Sequence, residues 1–586
     1  MSKIDLTSKI GSVVKRLPVI GGLALRAKRL GHRATQRIRD ARKSPYERWM
    51  ANRLRIRRGL YPVHHEPHEV ALLSFVTSVW NTSPEYLRVL VESVLKQPKS
   101  IPFEWVLLDN GSTKPETVSF LQRLGRYPFV RLHRVEENLG IIGGMRFCLE
   151  HAKNRYILPL DSDDYLYPDC TRILTSVIQK HQRPALLYSD EDKLVGRRFC
   201  HPYFKPDWDP VLFTNSCFIA HLCAIDREKA LELNAYSDAG SNGSHDWDTF
   251  VRFLAVGIEP IHIPEVLYSW RVHDTSTSGN VDAKSYIHSS QKNVLNRFLR
   301  CRGKPGQYQI DYSPLFRRSP DWWIRRKHEN PRPLSVVFFG NSAASRIDEL
   351  RRELASTTDY PIEMVFALPE EGLIPWLNES ARRAGALRGP TDTLVALIHD
   401  AIRIEGGEWP WEALTQFELY PDTCVVGGLL VRPSDEVILS AGQYFGFGRG
   451  CETPDRGTAL ESFGYFGQVR KQHSVSAVTP RFCVVDEAFL RTARLGVHSK
   501  TLGAWLGASA KRVRRRVVYS PFLQGWTDED WEGDVADREV RDFVLPNHDL
   551  LPEMGMLSAH LGLTASHRYL PVAQEERDHQ IRRLLT

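Results

Sequence analysis

Near the start of the chain, short apolar runs of strand length alternate with helix-length stretches, and most of these runs close on a polar turn. This pattern constrains the fold more than any other feature. Ala71-Leu-Leu-Ser-Phe-Val-Thr77 is the first such run, and after Asn81-Thr-Ser-Pro84 a helical period passes through Leu87, Leu90, Val91 and Leu95. Trp105-Val-Leu-Leu108 follows and closes on Asp109-Asn-Gly-Ser112. A later run, Tyr156-Ile-Leu-Pro-Leu160, leads into Asp161-Ser-Asp163-Asp164. Strands and helices alternating in this way build an α/β layer around a parallel sheet. Ligands of such sheets bind at the carboxyl ends of the strands, so Thr77–Asn81, Asp109–Ser112 and Asp161–Asp164 are expected along one edge.

The order begins again after the Pro/Arg-rich stretch Ser319–Pro333. Leu334–Phe339, Ile362–Ala367 and Thr393–Ile398 read as strands, with a helix over Ile347–Leu354. No short-period repeat is visible, so this is a duplicated domain rather than a solenoid. A chain of 586 residues exceeds the size at which one core keeps growing. The expected division is a basic helical arm over 1–60, a first α/β domain over 61–320, a second over 330–540 and a tail over 541–586, to which no function is assigned.

Charge is concentrated in the arm. Residues 1–60 carry 17 Lys/Arg against Asp5, Asp40 and Glu47, a local net of +14 in a chain whose total is +8. The remainder is mildly acidic, which together with the lack of an RNA-binding motif or paired-Cys zinc pattern argues against nucleic acid as a partner. Residues 7–45 mix aliphatic and basic side chains, as in an interfacial helix on anionic lipid or a solvated basic tail. Tyr46–Leu60 reads as a short helix. No apolar run reaches membrane-spanning length, a secretory signal is not expected, and nine scattered cysteines without C-x-x-C spacing fit a reducing, cytosolic setting.

The segment ending at Asp161, Asp163 and Asp164 brings three carboxylates within four residues. If the chain stays extended, alternation puts Asp161 and Asp163 on one side. Carboxylates this close repel unless a cation lies between them, and Mg²⁺ or Mn²⁺ prefers such oxygens supplemented by phosphate oxygens. A D-x-D alone is weak evidence, because acidic turns after strands are common and usually mean only solvated loop charge. Its position after Asn138-Leu-Gly140 and the helix Gly144–Lys153 favours the metal reading.

The ordered segments Val79-Trp-Asn81, Leu108-Asp-Asn-Gly-Ser-Thr113, Glu137-Asn-Leu-Gly140 and Leu160-Asp-Ser-Asp-Asp164 resemble family 2 glycosyltransferases of the GT-A fold. Tyr188-Ser-Asp-Glu-Asp-Lys193, Phe204-Lys-Pro-Asp-Trp-Asp209, Gly243-Ser-His-Asp-Trp-Asp248, Arg252 and Ile263–His273 resemble the branch that builds bacterial surface polysaccharides such as O-antigen and capsule, including rhamnosyltransferase-like members. The resemblance spans Val70–Ser278. It implies a Rossmann-like, mostly parallel sheet and an inverting, metal-dependent hexosyl or deoxyhexosyl transfer from a UDP-, dTDP- or GDP-sugar to a glycan or glycolipid acceptor. It also implies a place on the cytoplasmic face of the inner membrane.

Carried over to this sequence, the resemblance implies that Thr77, Asn81, Asp109, Asn138, Asp161 and Arg271 meet the donor. Asp161, Asp163, Asp164 and His273 would gather at the metal, and Asp246 would deprotonate the acceptor hydroxyl. Asp246 also suits the N-terminus of a helix, His273 suits a structural role as well as a ligand's, and Trp247 and Trp270 suit either a sugar face or the core. Ser78 stands where the family usually has proline, His245 where it often has Glu or Gln, and Met145-Arg146 where it commonly has Arg-Asn.

The second block resembles a GT-A domain more faintly, through Ile438–Gly442, Val475–Thr479 and Arg516–Pro521. Its strand end reads Ala396-Leu-Ile-His399-Asp400-Ala401 and its base region Leu502-Gly-Ala-Trp-Leu506, which has no carboxylate. It therefore reads as a degenerate domain for acceptor binding, scaffolding or assembly, with Asp392 and Asp400 as an alternative acidic pair. Three rival readings are a two-site polymerase, a nucleotidyltransferase (disfavoured by the lack of a Gly/Lys-rich phosphate loop) and a non-catalytic glycan-binding or assembly subunit.

Overall fold

The computed structural model describes residues 43–64, 72–273, 286–316, 321–382, 393–552 and 555–585. Residues 7–42 of the basic arm and Asp392 lie outside them. The chain divides into two compact units at Leu60 and Tyr61. In the first, the helix Pro45–Leu60 starts at a reciprocal cap: Glu47 N donates to Ser44 Oγ (3.1 Å) and Ser44 N to Glu47 Oε2 (2.7 Å). Such a cap satisfies donors that the first turn leaves open.

In the second unit the early apolar runs become β1 (Leu73–Val79), β2 (Phe103–Asn110), β3 (Val130–Val135) and β4 (Tyr156–Pro159). The sheet continues with β5 (Tyr165–Leu166), β6 (Leu186–Val195), β7 (Arg198–Tyr203), β8 (Cys223–Asp226) and β9 (Ile261–Val272). Its order is β3-β2-β1-β4-β8-β6-β9-β5, with β7 paired to β6. The first four strands run parallel, but β8 is antiparallel to both β4 and β6, and β5 and β7 are antiparallel to their partners. The sheet is thus mixed, correcting the mostly parallel expectation. A helix of sufficient length separates β1, β2, β3 and β4, whereas β8 enters without one.

A hairpin of β10 (Tyr308–Tyr312) and β11 (Trp322–Arg326) occupies part of the stretch read as a Pro/Arg-rich linker. Tyr308 and Ile310 of β10 and Trp322, Trp323 and Ile324 of β11 are buried there, so paired apolar side chains rather than the Pro/Arg composition decide the local structure.

The second sheet contains β12 (Leu334–Phe339), β13 (Ile362–Leu368), β14 (Leu394–His399), β15 (Arg403–Glu405), β16 (Thr423–Arg432) and β17 (Val437–Ser440). A small hairpin, β18 (Tyr444–Phe445) with β19 (Cys451–Glu452), precedes β20 (His473–Val475), β21 (Phe482–Asp486) and β22 (Arg516–Trp526). Its order, β13-β12-β14-β21-β16-β22-β15 with β17 on β16, repeats the first sheet without a β3 equivalent, and β20 pairs antiparallel with β22 without a counterpart there. Strand directions repeat too: β12 is parallel to β13 and β14, β21 antiparallel to β14 and β16, and β22 parallel to β16 and antiparallel to β15.

One apolar cluster runs through both sheets, joining Val76, Val106 and Phe250 to Val336, Ala396 and Val426. A second, around Phe75, Leu107 and Ile173, lies on the first sheet alone. Buried Asp209 ties the halves, accepting from Val211 N at 3.0 Å and from Ser474 N and Oγ at 2.7 Å. The tail buries Leu557, Leu561 and Leu563 without forming a helix there. His560 Nε2 lies 2.6 Å from the Pro264 carbonyl, joining the tail to β9. Among the described residues no helix is long and apolar enough to cross a membrane.

Candidate active site

β4 ends at Pro159, and Asp161–Asp164 forms a turn rather than the extended continuation assumed from alternation. The three carboxylates therefore point to different partners. Asp164 is fully buried and both its oxygens are engaged, by the Arg271 amide (2.7 Å) and the Tyr268 hydroxyl (2.6 Å). It locks the turn to β9. Asp163 Oδ2 lies 2.7 Å from His273 Nε2, and the His273 ring stacks on Tyr86 at 5.1 Å. Asp161 Oδ2 faces His221 Nε2 at 3.6 Å.

The electrostatics follow from this crowding. Burial and the neighbouring charge of Asp161 push the Asp163 carboxyl above its ordinary range, against the pull of His273. Burial alone would lower His221, yet Asp161, Glu191 and Asp164 raise it to about 9. The Asp163–His273 pair supplies one oxygen and one nitrogen donor, and like-charge crowding at Asp163 is what a divalent cation relieves. Among the described residues no group of three or more His, Cys, Asp or Glu closes into a metal cage. The donor set thus fits an open site, with other positions left to oxygens of a bound diphosphate.

Arg271 sits beside this turn. Its Nε donates to the Asp163 carbonyl (2.5 Å), its guanidinium lies over the Tyr86 ring at 5.1 Å, and its Nη2 is buried without a hydrogen-bond partner. An orphaned guanidinium donor is what a phosphate oxygen would satisfy.

Asp161, His221, His245 and Asp246 line one cavity of about 60 Å³ that opens to solvent, with Ser78, Met145 and Phe250 on its walls. Asp246 is the second residue of the helix His245–Ala255, 30% exposed, with Tyr236 Oη 3.4 Å from its Oδ1. The floor is made by the helix Gly140–His151, whose Gly144 packs so closely that a Cβ would meet Ser78 Oγ at 2.3 Å.

The other expected donor residues lie outside that lining. Thr77 is 0% exposed and its hydroxyl accepts from the Trp105 indole at 3.1 Å, so its side chain is core and does not meet a donor. Asn81 Oδ1 accepts the amides of Thr113 and Lys114 (both 2.9 Å), tying the β1 and β2 loops. Asp109 accepts from Ser112 N at 3.0 Å and is ion-paired with Arg134. Asn138 Oδ1 accepts from Gly140 N at 2.8 Å. Of the tryptophans, Trp247 is buried against Phe213, whereas Trp270 borders the site, its ring 5.3 Å from His221 and beneath the Lys193 ammonium at 3.6 Å.

Sequence reasoning missed His221, Glu191 and Lys205. Buried Lys205 donates to the carbonyls of Ala220 and His221 (2.8 and 2.7 Å) and pairs with Glu191 at 3.2 Å, fixing the loop that presents His221. Glu191, Lys193 and Lys205 lay within quoted motifs. His221 carries no spacing signal, since only the β4–β8 pairing brings it to Asp161.

The family model "Glycosyl transferase family 2" matches residues 74–232. The chain contains a family 2 glycosyltransferase domain. The matched span of this glycosyltransferase domain holds Asp161 and His221 but ends before Asp246, Arg271 and His273. The uncharacterized protein y4gI of Sinorhizobium fredii is 29% identical over 71% of this chain and 48% of its own length. The O-antigen biosynthesis protein RfbC of Myxococcus xanthus is 25% identical over 62% of this chain and 30% of its length, and a Pasteurella multocida chondroitin synthase 27% identical over 44% and 26%. The chain thus spans about half or less of each of these relatives. A structure of Staphylococcus aureus TarS with UDP-GlcNAc aligns with 40% of this chain and 67% of its own, at 17% identity and a TM-score of 0.33.

Proposed function

We propose that the glycosyltransferase domain transfers a sugar, with inversion, from a nucleoside-diphosphate donor to a glycan acceptor in the synthesis of a bacterial surface polysaccharide. The observation that carries this reading is the shared cavity of Asp161, His221 and Asp246 beside the orphaned Nη2 of Arg271. Asp246, at the start of its helix and on the cavity wall, would take the proton of the acceptor hydroxyl. Arg271 offers its free donor to the leaving diphosphate, and Asp164 holds Arg271 and the Asp163 turn together through β9. Asp163 and His273, with Asp161, would hold a divalent cation such as Mn²⁺ or Mg²⁺. When bound, such an ion neutralises diphosphate charge.

The second half is a copy of the same fold that has lost this chemistry. The matching order and directions of the strands the two sheets share support that reading, as does the lack of a carboxylate at the start of the helix Leu502–Arg512. The basic arm is read as a contact to anionic lipid on the cytoplasmic face.

The test is nucleoside diphosphate release by the full chain from a panel of UDP-, dTDP- and GDP-sugars, with Mn²⁺ or Mg²⁺ and then with chelator. Metal-dependent release from one donor, abolished in Asp163→Ala, is the expected result. A folded protein that releases nothing from any donor, even with glycolipid extract present, overturns it in favour of a non-catalytic assembly subunit.

A further inference from the structure

The two sheets can be compared residue by residue. Tyr156 of β4 pairs with Leu73, the first residue of β1, and Leu394 of β14 pairs with Leu334, the first residue of β12. Tyr156 also faces Asp226 of β8, and Leu394 faces Asp486 of β21. Asp226 and Asp486 do the same local work: each starts a helix and accepts from the amide three residues on, Lys229 N at 3.1 Å and Phe489 N at 2.9 Å. With these anchors, Asp161 corresponds to His399, Asp163 to Ala401 and His221 to Arg481.

The correspondence replaces a carboxylate by an imidazole and an imidazole by a guanidinium, at the point where the first half is built to hold a cation. The helix start that carries Asp246 corresponds to Gly503, and a Cβ there would meet the Val478 carbonyl at 1.9 Å, so no acidic side chain fits. A small cavity of about 50 Å³ nevertheless persists, open to solvent and lined by Arg481, Lys500, Gln443, Glu532, Thr479 and Trp531.

Arg481 is 1% exposed. Its Nη2 donates to Glu370 at 2.7 Å, but its Nε and Nη1 are buried without hydrogen-bond partners, a costly state for guanidinium donors. Trp531 covers it: the guanidinium lies 5.0 Å from that ring, which also leans on His399 at 4.6 Å. Lys500 Nζ donates to the Asp534 carbonyl at 2.9 Å and has no carboxylate partner among the described residues. The cavity's acidic side chains are engaged: Glu452 by Arg449, and Glu532 by Ser440, Gln443 and Thr453. The unspent polarity of the cavity is therefore cationic, beside an aromatic face of the kind that stacks on a pyranose.

We propose that this second cavity is a non-catalytic binding site for a saccharide residue carrying an anionic group, a carboxylate or a phosphate, held by Arg481 and Lys500 against Trp531. The site goes beyond the transferase reading and does not depend on it, because binding is read without donor and without metal.

Ligand-observed NMR titration of the full chain with methyl glucuronide, glucose 6-phosphate and methyl glucoside tests it, the first two separating carboxylate from phosphate. At least one anionic sugar should bind about tenfold or more tighter than the neutral one, as loss of a charged hydrogen bond implies. Lys500→Ala and Arg481→Gln should each remove that preference, whereas Asp163→Ala should keep it. Should Arg481→Gln fail to fold, Lys500→Ala and Trp531→Leu carry the test. Equal affinity for all three sugars, no binding of any, or a preference that survives Lys500→Ala and Trp531→Leu overturns the proposal, whether or not the first half proves to be a transferase.

Discussion

Asp161 and His399 stand at the same position of matching sheets, yet one faces a histidine across an acidic turn and the other lies beside a buried arginine under a tryptophan. The strands beneath them are interchangeable in kind: β1 and β12, β4 and β14 are apolar and almost wholly buried. The scaffold is set by those runs and tolerates new residues at the strand ends, where backbone turns outward and packing makes few demands. The residues at the strand ends can differ without loss of fold because fold and site depend on different residues.

The sharpest way to break this comparison is Asp246→Asn. It keeps the helix start and the size of the side chain while removing the base, so turnover should fall by about 10²–10⁴ with donor affinity retained. Substitution of Glu532 by Gln in the second cavity should leave turnover unchanged. Single-turnover diphosphate release with both variants checks the pair, and equal losses would mean that both halves take part in the reaction.

The next effect concerns packing. The helices Cys170–Lys180 and Trp409–Leu419 occupy equivalent places, but the fourth residue is Ile173 in one and Glu412 in the other. Ile173 belongs to an apolar cluster. Glu412, also buried, accepts from Trp323, Gln416, Gln472 and Ser520 at 2.7–3.2 Å, gathering four segments around one carboxylate. Removing it leaves those donors unpaired, so Glu412→Ala should cost about 3–5 kcal/mol, similar to Ile173→Ala but by a different cause. Urea unfolding distinguishes them: Glu412→Leu should remain destabilised, whereas Ile173→Leu should be nearly neutral.

These contrasts explain what the sequence disclosed. Runs such as Leu73–Val79 and Leu394–His399 are legible because a strand buried on both faces is mostly apolar. Burial on both faces also leaves no inward or outward signal, so nothing in the run marks Thr77, expected at the donor from the resemblance, as a core residue. The short antiparallel strands β8 and β21, four and five residues long, have no periodicity to detect. Without them the pairing of His221 with Asp161 is invisible. Asp161, Asp163 and Asp246 were legible as a local motif and a helix start, while the division of labour within Asp161–Asp164 depends on contacts with β9 more than a hundred residues away.

A smaller effect separates Arg271 from Arg481, each buried with unpartnered donors. Arg271→Lys keeps charge but removes the planar fork, and should lower kcat/KM for the nucleotide sugar by about 10- to 100-fold. Arg481→Lys should leave that ratio within experimental error. Steady-state kinetics with saturating acceptor tests both.

The smallest effect lies in the pH dependence of stability. His399 Nε2 lies 3.6 Å from Glu370 Oε2, and Arg481 and Ser499 hydrogen-bond to Glu370; together they outweigh burial and hold its carboxyl far below its ordinary value near 4.5. A carboxylate depressed in the folded state stabilises the protein above the unfolded pKa and loses that contribution as pH falls toward the folded one. Glu370→Gln should therefore cost about 1 kcal/mol at pH 7, discounted for partial solvent exposure. The gap to wild type should close as unfolding is measured from pH 5 down to pH 3. A gap that instead widens on acidification would show that Glu370 is not the group neutralising Arg481, and the second cavity would then hold more uncompensated positive charge than its ion pairs indicate.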